Sequence, residues 1–148
     1  MYTRSSDFMS EKLFTATATA NGGREGHVAS SDQVVEFDTA MPGTKRAKEL
    51  ERSTNPEQLF AAGYAACFDS ALQLVASKER VKFSSEVTAN VSLCKDESDG
   101  GFKLEVELQV KGTDIEKAQL EELVEKAHQV CPYSKATRDN IAVTLTVA

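Results

Sequence analysis

The stretch from Thr54 to Val75 constrains this chain more than any other. From Leu59 to Phe68 it carries no charge, and Leu72, Leu74 and Val75 extend its apolar surface. Asn55 is a good N-cap, and Pro56 suits the first helical position, where a missing N–H costs nothing. A helix that is apolar all round belongs inside a core. The uncharged run is shorter than the roughly 20 residues a bilayer span needs, and Asp69 closes it. At its middle sits Cys67, among Ala61, Ala62, Gly63, Ala65, Ala66, Ser70 and Ala71. Glycine costs about 1 kcal/mol against alanine in a helix interior, so a close neighbour is expected to need the room at Gly63.

The remaining chain supplies strands to surround such a helix. Lys12 to Ala20 alternates Phe14, Ala16, Ala18 and Ala20 with threonines, which predicts a half-buried strand. Asn21-Gly22-Gly23 signals a turn, and a second strand is expected to follow His27 and reach Val34 to Phe37, leaving Arg24 in the bend. Thr39 to Ser53 reads as a loop, and the central helix is expected to fray near Lys78 to Arg80. Val87 to Leu93 and Phe102 to Val110 alternate cleanly about the turn formers Asp96 to Gly101, predicting a second hairpin. Thr113 and Glu116 have the spacing of a capping box for a helix reaching Val130, and Pro132 stops it. Its apolar face is Leu120, Leu123, Val124, Ala127, Val130 and Cys131; Ile141 to Val147 then reads as a last strand. The order ββ-α-ββ-α-β predicts an α+β fold on an antiparallel-rich sheet with a long buried central helix. Residues 1–10 read as a loose tail and 11–148 as a single domain.

A net charge of −6 excludes nucleic acid and anionic membrane surfaces as expected partners. No secretory h-region is visible, so a cytoplasmic location is the default. Three cysteines are an odd count for a fully paired secreted framework, and in a reducing compartment point to redox or metal chemistry. His27 and His128 are isolated and read as structural, which leaves little support for a Cys/His zinc site and no metal expected. Cys67 and Cys131 fall on buried helix faces, and Cys94 on the polar face of its strand with Thr88, Asn90 and Ser92. Any one buried cysteine is equally readable as a small core hydrophobe; two form a redox pair only if they meet in space. A mid-helix thiol near its ordinary pKa is a poor nucleophile and needs a cation, for which Arg24 is a candidate. Arg24 also reads as a solvated hairpin arginine, and Glu57 as a first-turn carboxylate facing the positive helix end.

Asn55-Pro-Glu-Gln-Leu-Phe-Ala-Ala-Gly-Tyr-Ala-Ala-Cys67-Phe and His128-Gln-Val-Cys131-Pro-Tyr-Ser-Lys-Ala-Thr resemble the two signature segments of the organic hydroperoxide resistance proteins. These are the Ohr branch of the OsmC/Ohr superfamily, and the likeness covers nearly the whole chain after the first ten residues. The resemblance implies an OsmC/Ohr-like domain in an intertwined homodimer with two long central helices. It implies a peroxidatic Cys67, a resolving Cys131, and assistance from Arg24 and Glu57. No bound cofactor is implied; the reductant would be a lipoylated protein, dihydrolipoamide or another dithiol. Cys94 lies outside the pattern and reads as a passive exposed thiol.

Chemistry consistent with those roles starts with a Cys67 thiolate attacking an organic hydroperoxide to leave a sulfenic acid, which Cys131 converts to a disulfide. Arg24 would stabilise charge and Glu57 would hold Arg24. Cys131, at a helix C-terminus, suits the resolving part. Phe60, Tyr64, Phe68 and Met41 would offer an apolar wall for the substrate, each being equally readable as core. Glu57 lies about 15 Å from Cys67 along an unbroken helix, so two antiparallel central helices crossing near Ala62-Gly63 would share a site between chains. The rivals are an osmotically induced superfamily member with broader peroxide use and a non-catalytic thiol redox sensor.

Overall fold

A computed structural model describes residues 10–148, so the expected tail lies, except for Ser10, outside the described residues. The chain forms two compact units, Met1–Asn55 and Pro56–Ala148.

The first unit holds an antiparallel sheet of β1 (Ala18–Asn21), β2 (His27–Ser30) and β3 (Glu36–Asp38) in that order. The expected strand from Lys12 is therefore mostly absent: the ladder begins at Ala18 opposite Ser30, and Leu13 and Phe14 are 87% and 86% exposed. A second departure is that the chain expected to run on to Phe37 as one strand turns back after Ser30. The Asp32 carboxylate accepts from the Ser30 hydroxyl at 2.6 Å and from the Val34 amide at 3.1 Å, an Asx turn that competes with the strand. Gln33 takes the left-handed conformation there, with φ 62°. The expected loop before the central helix contains a short helix, α1 (Lys45–Glu49), begun by the Thr44 hydroxyl accepting from the Ala47 amide.

In the second unit, α2 runs unbroken over Pro56–Lys78, ending where expected, with Arg80 at φ 59°. Tyr64, Phe68, Ala71, Leu72, Val75 and Ala76 form its buried face. Within this chain it is not buried all round: Ala62, Ala66 and Ser70, at four-residue spacing, are exposed, and Leu74 is 51% exposed. At 23 residues, with mean hydropathy 1.4 over its best window, α2 is long and apolar enough to cross a membrane by length and composition. The uncharged run alone understated that length. In the structure it packs on the sheet and on the later helices, and Ser85 bonds both Asp69 and Gln73.

The second hairpin is β4 (Ser84–Asp96) and β5 (Gly101–Thr113), in register from Ser84 opposite Thr113 to Asp96 opposite Gly101. Helix α3 (Lys117–Val130) buries Leu120, Leu123, Val124 and Ala127, as its periodicity predicts, whereas Val130, expected on the same face, is 43% exposed. Its capping box does not form: Thr113 is the last residue of β5, and Glu116 takes the N-cap position without a side-chain cap. Pro132 does more than stop α3, because it also opens a six-residue helix, α4 (Pro132–Thr137). The last strand, β6 (Val143–Val147), pairs parallel to β5, so β5-α3-α4-β6 is a crossover unit and the sheet is mixed. Alternation alone cannot distinguish the two directions of pairing. Around this sheet Tyr64, Phe68, Leu72, Val106, Leu108, Val110, Leu120 and Cys131 share one core.

Candidate active site

Cys67 lies mid-way along α2, one turn after Gly63, and is half-buried. Cys131 is fully buried at the corner between α3 and α4. The two sulfurs are 3.7 Å apart, with the Cys131 thiol donating to Cys67. The question left open by periodicity is thus answered, since the two buried-face thiols do meet. Desolvation by the surrounding core pushes the Cys67 thiol up from its ordinary value. The backbone N–H of Tyr133, which donates to that sulfur, pulls the other way, and the neighbouring Cys131 adds to the upward push. Within this unit Cys67 is therefore a reluctant thiolate.

The corner changes the expected electrostatics of Cys131. It caps α3 through its N–H to Ala127, yet it also precedes α4, so helix ends of opposite polarity flank it. A C-terminal dipole alone no longer explains its role. What holds the corner is a buried polar network that sequence reasoning did not reveal. The Tyr64 hydroxyl bonds Ser134 Oγ at 2.8 Å and Thr137 Oγ1 at 3.2 Å. Ser134 Oγ also bonds His128 Nδ1 at 2.8 Å, and the Arg138 guanidinium donates to the His128 carbonyl. Burial, with Arg138 nearby, holds the His128 imidazole below its ordinary pKa; Glu125 opposes this weakly. The structural reading of His128 agrees with this placement.

Of the expected apolar wall, Tyr64 and Phe68 are fully buried and pack in the core of their own chain. Phe60 is half-buried and stacks edge-on to Tyr64 at 6.1 Å and to Tyr133 at 6.0 Å. Tyr133, which lies in the second signature segment but carries no periodic signal of its own, is 37% exposed. Glu57 sits in the first turn of α2. With α2 unbroken, ten residues place it about 15 Å along the axis from its own Cys67.

Arg24 and Met41 meet in the first unit, where Arg24 Nη1 donates to Met41 Sδ at 3.6 Å. Arg24 lies in a single 3₁₀ turn, Gly23–Glu25, within the expected bend. Buried Thr39 latches that bend: its hydroxyl donates to Gly23 O at 2.7 Å and accepts from the Gly26 amide at 2.8 Å. Arg46, reaching from α1, donates to Thr39 O at 2.9 Å and to Gly26 O at 3.1 Å. Gly26 is obligatory, because a Cβ there would lie 1.8 Å from the Asn21 carbonyl oxygen. Neither Thr39 nor Arg46 stood out in the sequence, since a hydroxyl and a guanidinium in a loop carry no periodic signal. Cys94 is partly exposed on the polar side of β4, opposite Lys103, with its thiol 3.9 Å from the Ser92 carbonyl. Among the described residues no three His, Cys, Asp or Glu side chains gather where a metal ion could be held.

A helix-borne thiol thus faces a second thiol, over a hairpin closed by a helical crossover. Residues 47–146 match the OsmC-like protein family, and the chain belongs to it. It is 71% identical over 140 residues to the organic hydroperoxide resistance protein OhrA of Bacillus subtilis, covering 95% of this chain and 99% of that relative. Its identity to the organic hydroperoxide resistance protein of Xanthomonas axonopodis pv. citri is 49% over 140 residues, covering 92% and 95%. The crystal structure of OhrB of Bacillus subtilis superposes with a TM-score of 0.88 at 52% identity, over 93% of this chain and 100% of that one.

Proposed function

We propose that this chain is a thiol-dependent peroxidase that reduces organic, fatty-acid-type hydroperoxides to alcohols. The observation that carries this reading is the sulfur of half-buried Cys67, 3.7 Å from that of buried Cys131. Its similarity to proteins named for organic hydroperoxide resistance supplies the substrate class. The Cys67 thiolate attacks the outer peroxide oxygen; the O–O bond breaks, an alkoxide leaves and takes a proton, and Cys67 becomes a sulfenic acid. Cys131 sulfur then attacks the Cys67 sulfur. An S–S bond forms, the S–O bond breaks, and the departing hydroxide takes the thiol proton as water. A dithiol such as a dihydrolipoyl group returns both cysteines to thiols and is itself oxidised to a disulfide.

Cys67, raised by desolvation, needs a cation to ionise at neutral pH, and Arg24 is assigned that work. Phe60 and Met41 are assigned to the substrate's apolar part, and Tyr64 and Phe68, being fully buried, to its support. The two units act together as one OsmC/Ohr-like domain, and a reducing cytoplasm suits a thiol pair that must be re-reduced each cycle.

A homodimer also belongs to this reading. Glu57 stands about 15 Å from its own Cys67, while the small face Ala62, Ala66 and Ser70 of α2 is exposed and would accept a second copy of the helix. Gly63 does not contribute to that approach as expected, because its space is taken by Tyr133 of the same chain.

Steady-state turnover with cumene or tert-butyl hydroperoxide and a dithiol reductant tests the proposal. Repeated turnover with weak use of hydrogen peroxide is expected. A single oxidation without turnover would make the chain a redox sensor, and equal use of hydrogen peroxide would make it a broad osmotically induced type.

A further inference from the structure

Gly63 is the one glycine inside α2, and a Cβ on it would lie 2.5 Å from the Tyr133 hydroxyl oxygen, 3.0 Å from Cζ and 3.2 Å from Cε2. The Tyr133 ring therefore rests directly on the helix backbone, one turn before Cys67. It is flanked there by Phe60 at 6.0 Å and Tyr64 at 5.6 Å between centroids. Tyr133 follows Cys131 by two residues, and the intervening Pro132 has a fixed φ. On the other side, Ser134 is anchored to Tyr64 and His128. The corner that carries Cys131 is thus pinned to α2 at a ring and at a hydroxyl.

We propose that the contact between Gly63 and the Tyr133 ring is a positioning device that holds Cys131 at the distance from which it closes the disulfide with Cys67. The inference rests on the peroxidase reading above. Closing from 3.7 Å to an S–S bond of about 2.05 Å requires a movement of about 1.6 Å. An alanine at 63 must drive the Tyr133 hydroxyl back by about 0.9 Å to reach the 3.4 Å of ordinary contact. That push falls on a ring whose own backbone lies two residues from the attacking sulfur. Gly63 and Tyr133 act here through the two cysteines, so they are positioning residues.

The test is a single turnover with one equivalent of cumene hydroperoxide. It follows alcohol release, dimedone-trappable sulfenic acid and disulfide closure separately. Gly63→Ala should close the disulfide about tenfold or more slowly and accumulate sulfenic acid. Tyr133→Phe should close within about twofold of wild type, because the ring contact survives. Adding Tyr133→Phe to Gly63→Ala removes the 2.5 Å contact and leaves the one at 3.0 Å, so closure should recover in part. A merely structural role would lower the melting temperature without that recovery. Should Gly63→Ala fail to fold, Tyr133→Leu, which removes the ring and keeps the amide, must slow closure instead. Wild-type closure in Gly63→Ala, no recovery in the double variant, or fast closure in Tyr133→Leu each overturns the inference. Disulfide formation absent from the wild-type chain would overturn the peroxidase reading itself, and this inference with it.

Discussion

Around Arg24 the chain is held by hydrogen bonds from Thr39 and Arg46 to backbone, and Ala40 is the one buried apolar residue among the described residues of that unit. Around Cys67 and Cys131 it is held by packing, in a core that includes Phe68, Leu72, Leu108, Leu123 and Cys131 itself. Individual hydrogen bonds are worth roughly 1 kcal/mol net, whereas fully burying a large apolar side chain is worth about 1.5–3 kcal/mol. The bend is therefore the less strongly held of the two regions. The thiol pair belongs to the region that opens last.

Four kinds of substitution sharpen that contrast and a fifth bounds it. Cys67→Ser removes the nucleophile and should lower hydroperoxide consumption on the order of a thousandfold or more in a turnover assay. Arg24→Lys keeps the charge but loses the planar fork, and should cost about a hundredfold in rate. With Arg24→Met the pH midpoint of Cys67 oxidation should move upward, because desolvation already raises that thiol and only the Tyr133 amide then offsets it. An unchanged midpoint would detach Arg24 from the thiol.

Thr39→Val removes both bonds of the bend latch and leaves the Gly26 amide unsatisfied, costing about 1–3 kcal/mol locally. Turnover should fall about tenfold, while disulfide closure in a single turnover keeps its rate. Equal loss in both steps would contradict the separation of bend and pair.

His128 tests the packed side. Its folded pKa is depressed, so the stability it contributes is present above the ordinary value of 6.5 and lost as pH falls through the lower folded one. Melting temperatures should therefore decline below about pH 6.5, and His128→Asn should flatten that decline. At the small end, Cys94→Ser, on the polar side of β4, should leave turnover within about twofold.

The parts legible in the sequence were those governed by local signals. Asn55-Pro56 marked the start of α2, strict alternation marked β4 and β5, and the face of α3 followed its 3.6-residue period. Both cysteines could be placed on buried faces for the same reason. What escaped was decided by tertiary partners. The six-residue α4 is too short to show a period, and Pro132 signals a stop and a start alike. Ser31 to Val35 reads as strand until the Asp32 carboxylate is seen to take the Val34 amide. Gly63 announced a close neighbour without saying which: a second helix was expected, and the Tyr133 ring occupies the place. Thr39 and Tyr64 act through hydroxyls whose partners lie 13 to 73 residues away in sequence, which no local pattern encodes.

The most direct measurement of the central claim is peptide mass spectrometry after one equivalent of cumene hydroperoxide is added to the fully reduced chain. The predicted product is a single crosslink joining the Cys67 and Cys131 peptides, with Cys94 unmodified and one equivalent of alcohol released. In Cys131→Ser the same dose should leave sulfenic acid on Cys67, passing to sulfinic acid with excess peroxide. Oxidation beginning on Cys131, or a disulfide that includes Cys94, would contradict the account.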